Sequence, residues 1–170
     1  MRQDRFLIGI LAGIGVLIVV ALAVFFIRRD GVDYGPEDTP EGVVSNYVVA
    51  LQRGEYERAY GYLASFENKP DLGAFRVPFD NFQAAEVSRT GLDIQETTLY
   101  ADGKEALVAL VVLRGGNGPF DQGYRETNSA TLVLEGGAWK IRSMPYPFWS
   151  YEWDPQIKSQ TVPAAARAGF

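Results

Sequence analysis

The chain contains neither cysteine nor histidine among its 170 residues. Without cysteine there are no disulfides, no thiolate nucleophiles and no sulfur-based zinc sites. Without histidine the commonest general base and metal ligand near neutral pH is missing, so a Ser-His-Asp or Cys-His device cannot be assembled. Positive charge is also scarce: the chain carries 16 Lys+Arg against 21 Asp+Glu, a net charge of −5. Four of those basic residues (Arg2, Arg5, Arg28 and Arg29) lie near the N-terminus. The stretch from residue 31 onward is therefore more acidic than the whole and contains no Lys/Arg cluster. Such a domain repels phosphate backbones, so no nucleic-acid partner is expected. No metal and no cofactor are expected either.

Against these absences stands one long apolar run, residues 6–27, without a charged side chain and with arginines on both sides. At about 1.5 Å rise per residue it would reach roughly 33 Å as a helix, enough for a hydrocarbon core of about 30 Å. A transmembrane helix over 6–27 is the expectation, after a short head at 1–5 and before a linker at 28–38. Two other readings stay open: a signal peptide cleaved after Ala21-Leu22-Ala23, and the reverse orientation. Two arginines on each side leave the positive-inside rule without a preference. Gly9 and Gly13 form a GxxxG pair that would allow close helix approach and hence a homodimer.

The following segment reads as one domain, 39–147. Thr39 is placed as an N-cap, with Pro40 at the first helical position and Glu41 in the first turn. Val43, Val44, Tyr47, Val48 and Leu51 recur on one stripe, and Gly54 stops the helix. A second helix is expected over 55–64, with Tyr56, Ala59, Tyr60 and Leu63 on its inner side. A third is expected over 78–87, with Phe75, Phe79 and Phe82 on one side. The period then falls to two. Strands are predicted over 92–100, 105–113, 124–135 and 138–143, separated by Asp-Gly, a glycine-rich loop at 114–122 and Gly136-Gly137. The second of these is apolar on both faces and so is placed centrally. The class is α+β: an N-terminal transmembrane helix, then three helices on a curved four-stranded antiparallel sheet.

This order, with PEGVVSNYVVALQRGEYERAYGYLA at 40–64 and GGAWKIRSM at 136–144, resembles the nuclear transport factor 2-like superfamily. That cone-shaped fold is shared with ketosteroid isomerase. The first segment is similar to the paired helices that open such domains in membrane-anchored or secreted bacterial proteins of unassigned function. The second is similar to their closing strand. The resemblance implies a domain on the extracytoplasmic side of the cell membrane, but it does not choose among isomerases, binding modules and structural partners. Isomerases of this kind use a carboxylate base facing tyrosine and a protonated acid. Asp80, Glu86, Asp93 and Glu96 are the carboxylates at hand. None lies in an apolar stretch, and none is carried onto a catalytic position.

Two functions are weighed. The first is a non-catalytic module anchored by 6–27 that binds a small apolar ligand or an envelope protein, with Tyr47, Tyr60, Phe79, Phe82 and Trp139 lining the cone. The second is a small isomerase built on carboxylate and tyrosine. The tail, 148–170, is aromatic and then of small residues expected to be disordered. Phe148, Trp149, Tyr151 and Trp153 either fold back over the cone mouth, or lie at a bilayer interface, or form a partner surface.

Overall fold

Thr39 adopts an extended conformation, and its hydroxyl accepts a hydrogen bond from the Gly42 N–H, which starts the first helix of the domain as its sequence predicts. The computed structural model describes residues 3–28, 33–115 and 123–153. The chain divides into two units, Met1–Asp33 and Tyr34–Phe170.

The first unit holds helix α1, Gln3–Arg28. Its described side chains are those of 10–24. Among the described residues no helix is long and apolar enough to cross a membrane. The expected transmembrane helix over 6–27 is corrected accordingly, and with it the single-pass, extracytoplasmic placement at the cell membrane. Gly13 has open space where a Cβ would stand, and the side-chain position of Gly9 lies outside the described residues.

In the second unit four helices precede the sheet: α2 Pro40–Arg53, α3 Tyr56–Gly61, α4 Leu72–Asp80 and α5 Gln83–Arg89. Gly54, at φ 72°, ends α2 in the left-handed region, where glycine carries no Cβ penalty. The expected single helix over 78–87 is instead two. The break falls at Asn81, with φ and ψ both −111°, and the Asn81 side chain donates to the Val77 carbonyl.

Strands β1 Thr90–Tyr100, β2 Glu105–Arg114, β3 Tyr124–Glu135 and β4 Ala138–Ser143 form an antiparallel meander in sequence order. Bulges lie at Ile94/Glu96 in β1 and opposite Thr131/Leu132 in β4. The outer edge of β4 is partly closed by a parallel bridge from Leu63 to Ile141. Ala106, Val108 and Leu110 of β2, with Ala130, Leu132 and Ile141, share one buried cluster with Val43, Val44, Tyr47 and Leu51 of α2, and Val112 on the same face of β2 is buried as well. β2 is apolar on both faces, but only this one is deeply buried. Leu107, Ala109, Val111 and Leu113 are half-buried on the other. The domain is thus an α+β layer pair with an open outer sheet face.

The linker before α2 is bound to it closely. Asn46, fully buried, donates to the Gly35 carbonyl at 3.0 Å and accepts from the Gly35 N–H at 2.7 Å. A Cβ on Gly42 would stand 1.9 Å from the Pro36 carbonyl oxygen, so this approach requires glycine.

Candidate functional site

The interior between helices and sheet is where a ligand of such a domain would sit, and aromatic side chains occupy it. Tyr47 projects from α2 into the core, fully buried, and its hydroxyl donates to the Phe148 carbonyl at 2.7 Å. Burial pushes its pKa well above the usual tyrosine value. The phenol stays a neutral donor, committed to a backbone carbonyl.

Phe79, buried on α4, packs 5.3 Å from Phe75, centroid to centroid, and 6.2 Å from Tyr56. Tyr60 is half-buried at the rim. Its ring meets Phe75 edge-on at 5.5 Å and its hydroxyl donates to the Pro70 carbonyl. The Lys69 ammonium lies 4.7 Å above that ring, and burial lowers its pKa. Trp139 packs on the border of the core from β4. Phe82 does not join them: it follows the break after α4 and is 71% exposed. Of the five side chains expected to line a cone, the structure brings Tyr47, Tyr60, Phe79 and Trp139 to one cluster and turns Phe82 to solvent.

The aromatic segment after β4 completes that cluster. Phe148, Trp149 and Trp153 are buried, whereas Tyr151 is 62% exposed. The Trp153 ring stacks on Phe75 at 5.3 Å and meets Trp149 edge-on at 5.2 Å, and Trp149 reaches Phe66 at 5.8 Å. Of the four residues weighed as a partner surface, only Tyr151 offers its ring to solvent. It stacks on Tyr146, over which the Arg114 guanidinium sits at 5.1 Å. Among the described residues the segment's backbone–backbone bonds lie within itself, from the Phe148 N–H to Pro145 and from the Trp153 N–H to Ser150. It is held by side chains: Tyr47 below, and Gln83, whose amide donates to the Trp149 carbonyl at 3.4 Å. Gln83 Oε1 and Trp149 Nε1 are buried with no hydrogen-bond partner among the described residues.

The chemistry available inside is narrow. The buried polar residues among those described are Asn46, Gln83, Thr90 and Ser150, and no carboxylate is with them. Asp80 pairs with Arg76 across one helical turn on the surface, Asp93 and Glu96 are exposed on β1, and Glu86 is half-buried on α5. Among the described residues no three His, Cys, Asp or Glu side chains gather as a metal-holding group.

The surface carries shallow clefts, one of about 350 Å³ lined by 54–58 and Arg76, another of about 210 Å³ between the end of α2 and α5. Beside the first lies a polar cluster that sequence patterning gave no reason to expect. Arg58 donates to Glu37 at 3.1 Å and to the Tyr62 hydroxyl, and lies 3.3 Å above the Tyr34 ring. Tyr62 donates to Glu37 at 2.6 Å. These bonds, from Tyr62 first and Arg58 second, hold the Glu37 carboxyl below its ordinary pKa. They fasten the linker to α3.

No protein-family model and no curated protein matches the chain. Several solved structures are similar to it. A SEC-C motif containing protein from Rhodopseudomonas palustris is 10% identical over 64% of this chain and 79% of its own, with a TM-score of 0.47. The CaMKII hub of S. rosetta is 17% identical over 65% and 94%, with a TM-score of 0.43. An NTF2-like protein with a cystatin-like fold from Novosphingobium aromaticivorans is 16% identical over 58% and 72%, with a TM-score of 0.42. Similarity at this level assigns neither family nor activity, and the α+β description rests on the element order and strand register of the chain itself.

Proposed function

We propose that the domain is a non-catalytic interaction module that works through its surface, with the open outer face of the sheet as the part that meets a protein partner. The observation that carries this reading is the filling of the interior by the chain's own Phe148, Trp149 and Trp153. A small-molecule chamber needs several hundred Å³ of concave, largely preformed space. Here the place for it is taken by stacked rings. The isomerase alternative needs a carboxylate inside, near Tyr47 or Tyr60. The carboxylates weighed for it lie on the surface or half-buried on α5, and Tyr47 spends its hydroxyl on a backbone carbonyl.

Native mass spectrometry of the full chain tests the reading directly. The expected spectrum is that of protein alone, with an added apolar dye failing to bind at saturable one-to-one stoichiometry. A co-purifying small-molecule adduct, or tight stoichiometric dye binding lost in Tyr47→Phe, would restore the small apolar ligand and remove this proposal.

A further inference from the structure

A further surface cleft, of about 350 Å³, lies where the loop after α3 runs beside β3 and β4. Ser65, Phe66, Glu67, Val133, Glu135 and Arg142 line it. The bridge between Leu63 and Ile141 holds the loop against β4. The Phe66 ring is backed by Trp149 at 5.8 Å and makes a fixed apolar wall, which Val133 extends. The Ser65 N–H donates to both Glu135 oxygens, at 3.1 and 3.2 Å, and orients that carboxylate without neutralising it. Arg142 sits at the β4 bulge: its neighbours Ile141 and Ser143 face Leu132 and Thr131, and it has no register partner of its own. A bulge re-aims the side chain it carries. The charges gathered in this way are unmet. Lys69 and Lys140, the cations nearest Glu135, each donate to a carbonyl, of Leu63 and of Gly61. Among the described residues none of Glu67, Glu135 and Arg142 enters an ion pair. Opposite charges that share a cleft without touching leave a gap that a molecule bearing both signs would bridge.

We propose that this cleft binds a free α-amino acid as its zwitterion. The ligand's carboxylate meets the Arg142 guanidinium, whose planar fork matches it. Its ammonium meets Glu135, with Glu67 at the rim. An apolar side chain lies along Phe66 and Val133. A chain end of a partner protein carries only one of these two charges and leaves the other unmet. The cleft is open and its charged groups are solvated, since Arg142 and Glu67 are exposed. Binding is therefore weak, with a dissociation constant of about 1 mM, and weaker still in high salt. At that strength the ligand is lost during purification and leaves no adduct in a mass spectrum. The site goes beyond the module reading and does not depend on it, because it lies outside the filled interior.

Titration of the full chain with leucine, followed by amide NMR, tests this. Leucine is expected to shift the signals of Ser65, Phe66, Glu67 and Arg142 along one saturable curve. 4-Methylpentanoate, which lacks the ammonium, and isopentylamine, which lacks the carboxylate, should each bind roughly tenfold more weakly or worse. Arg142→Gln should weaken leucine to a similar extent and leave isopentylamine unchanged, a split that a merely structural role of Arg142 would not produce. Glu135→Gln keeps an oxygen for the Ser65 N–H and should weaken leucine and isopentylamine alike. Spectra of the free variants that match the wild type away from the cleft exclude misfolding. The proposal is overturned if leucine gives no saturable shift, if either half-ligand binds as well as leucine, or if Arg142→Gln binds leucine as the wild type does. A ligand of the interior would instead move the signals of Tyr47 and Trp153 and be weakened by Tyr47→Phe, so failure of the module reading is seen separately.

Discussion

Tyr47 and Glu37 show how single side chains set the strength of this fold. The Tyr47 hydroxyl is buried and bonded to the Phe148 carbonyl. Removing it in Tyr47→Phe leaves that carbonyl unmet and should cost about 1–3 kcal/mol, read as a lower midpoint in urea with an unchanged slope. Glu37 acts through pH. Its folded pKa is depressed below the ordinary value of 4.5, so its contribution is full above that value and is lost as pH falls through the folded pKa. Melting temperatures below about pH 4.5 should therefore fall more steeply in the wild type than in Glu37→Gln. Parallel acid limbs in the two proteins would show that the Tyr62–Glu37–Arg58 contacts contribute nothing.

At the scale of elements, the break between α4 and α5 decides which aromatics matter. In one continuous helix Phe75, Phe79 and Phe82 share a face, because positions three and four apart are neighbours. The break at Asn81 keeps the first two inside and turns the third out. Trp153→Ala should thus cost about 3–5 kcal/mol through lost stacking on Phe75 and Phe79. Phe82→Ser should stay within about 0.5 kcal/mol. Thermal denaturation of the pair checks both, and equal losses would mean that Phe82 is packed. The caps of α2 and all four strands were legible because their signals are local: Thr39-Pro40, Gly54, the Asp-Gly turn, and the two-residue period of β3 and β4. The break was not, since Pro78 and Asn81 lie within a run whose apolar spacing looks unbroken. The docking of 144–153 was legible only as one of three choices. Its partners Phe75, Phe79 and Gln83 lie about seventy residues upstream, and no local pattern encodes such a contact. The role of Asn46 and the Glu37 cluster escaped for the same reason.

For the whole molecule, the length of apolar sequence at 6–27 is plain, but its reading as a membrane span is corrected: among the described residues no helix is long and apolar enough to cross a membrane. The domain that follows has a single core shared by helices, sheet and tail. Three aromatic side chains of about 150–250 Å² each enter it from the segment after β4, at roughly 25 cal/mol per Å². That is comparable to the entire stability of a small domain, so the segment does not open as a separate lid. Tryptophan fluorescence, which Trp149 and Trp153 dominate together with Trp139, should therefore change at the same denaturant concentration as far-ultraviolet dichroism. An earlier fluorescence transition would show a segment that detaches alone.

The position of these aromatics in the chain has a further consequence during synthesis. A ribosome releases residues in order, so the helices and the meander emerge with Tyr47, Phe75 and Phe79 facing unfilled space. Only when Trp153 has cleared the exit tunnel can the last rings drop into place. Until then the nascent domain must expose an apolar interior that only the segment after β4 can cover.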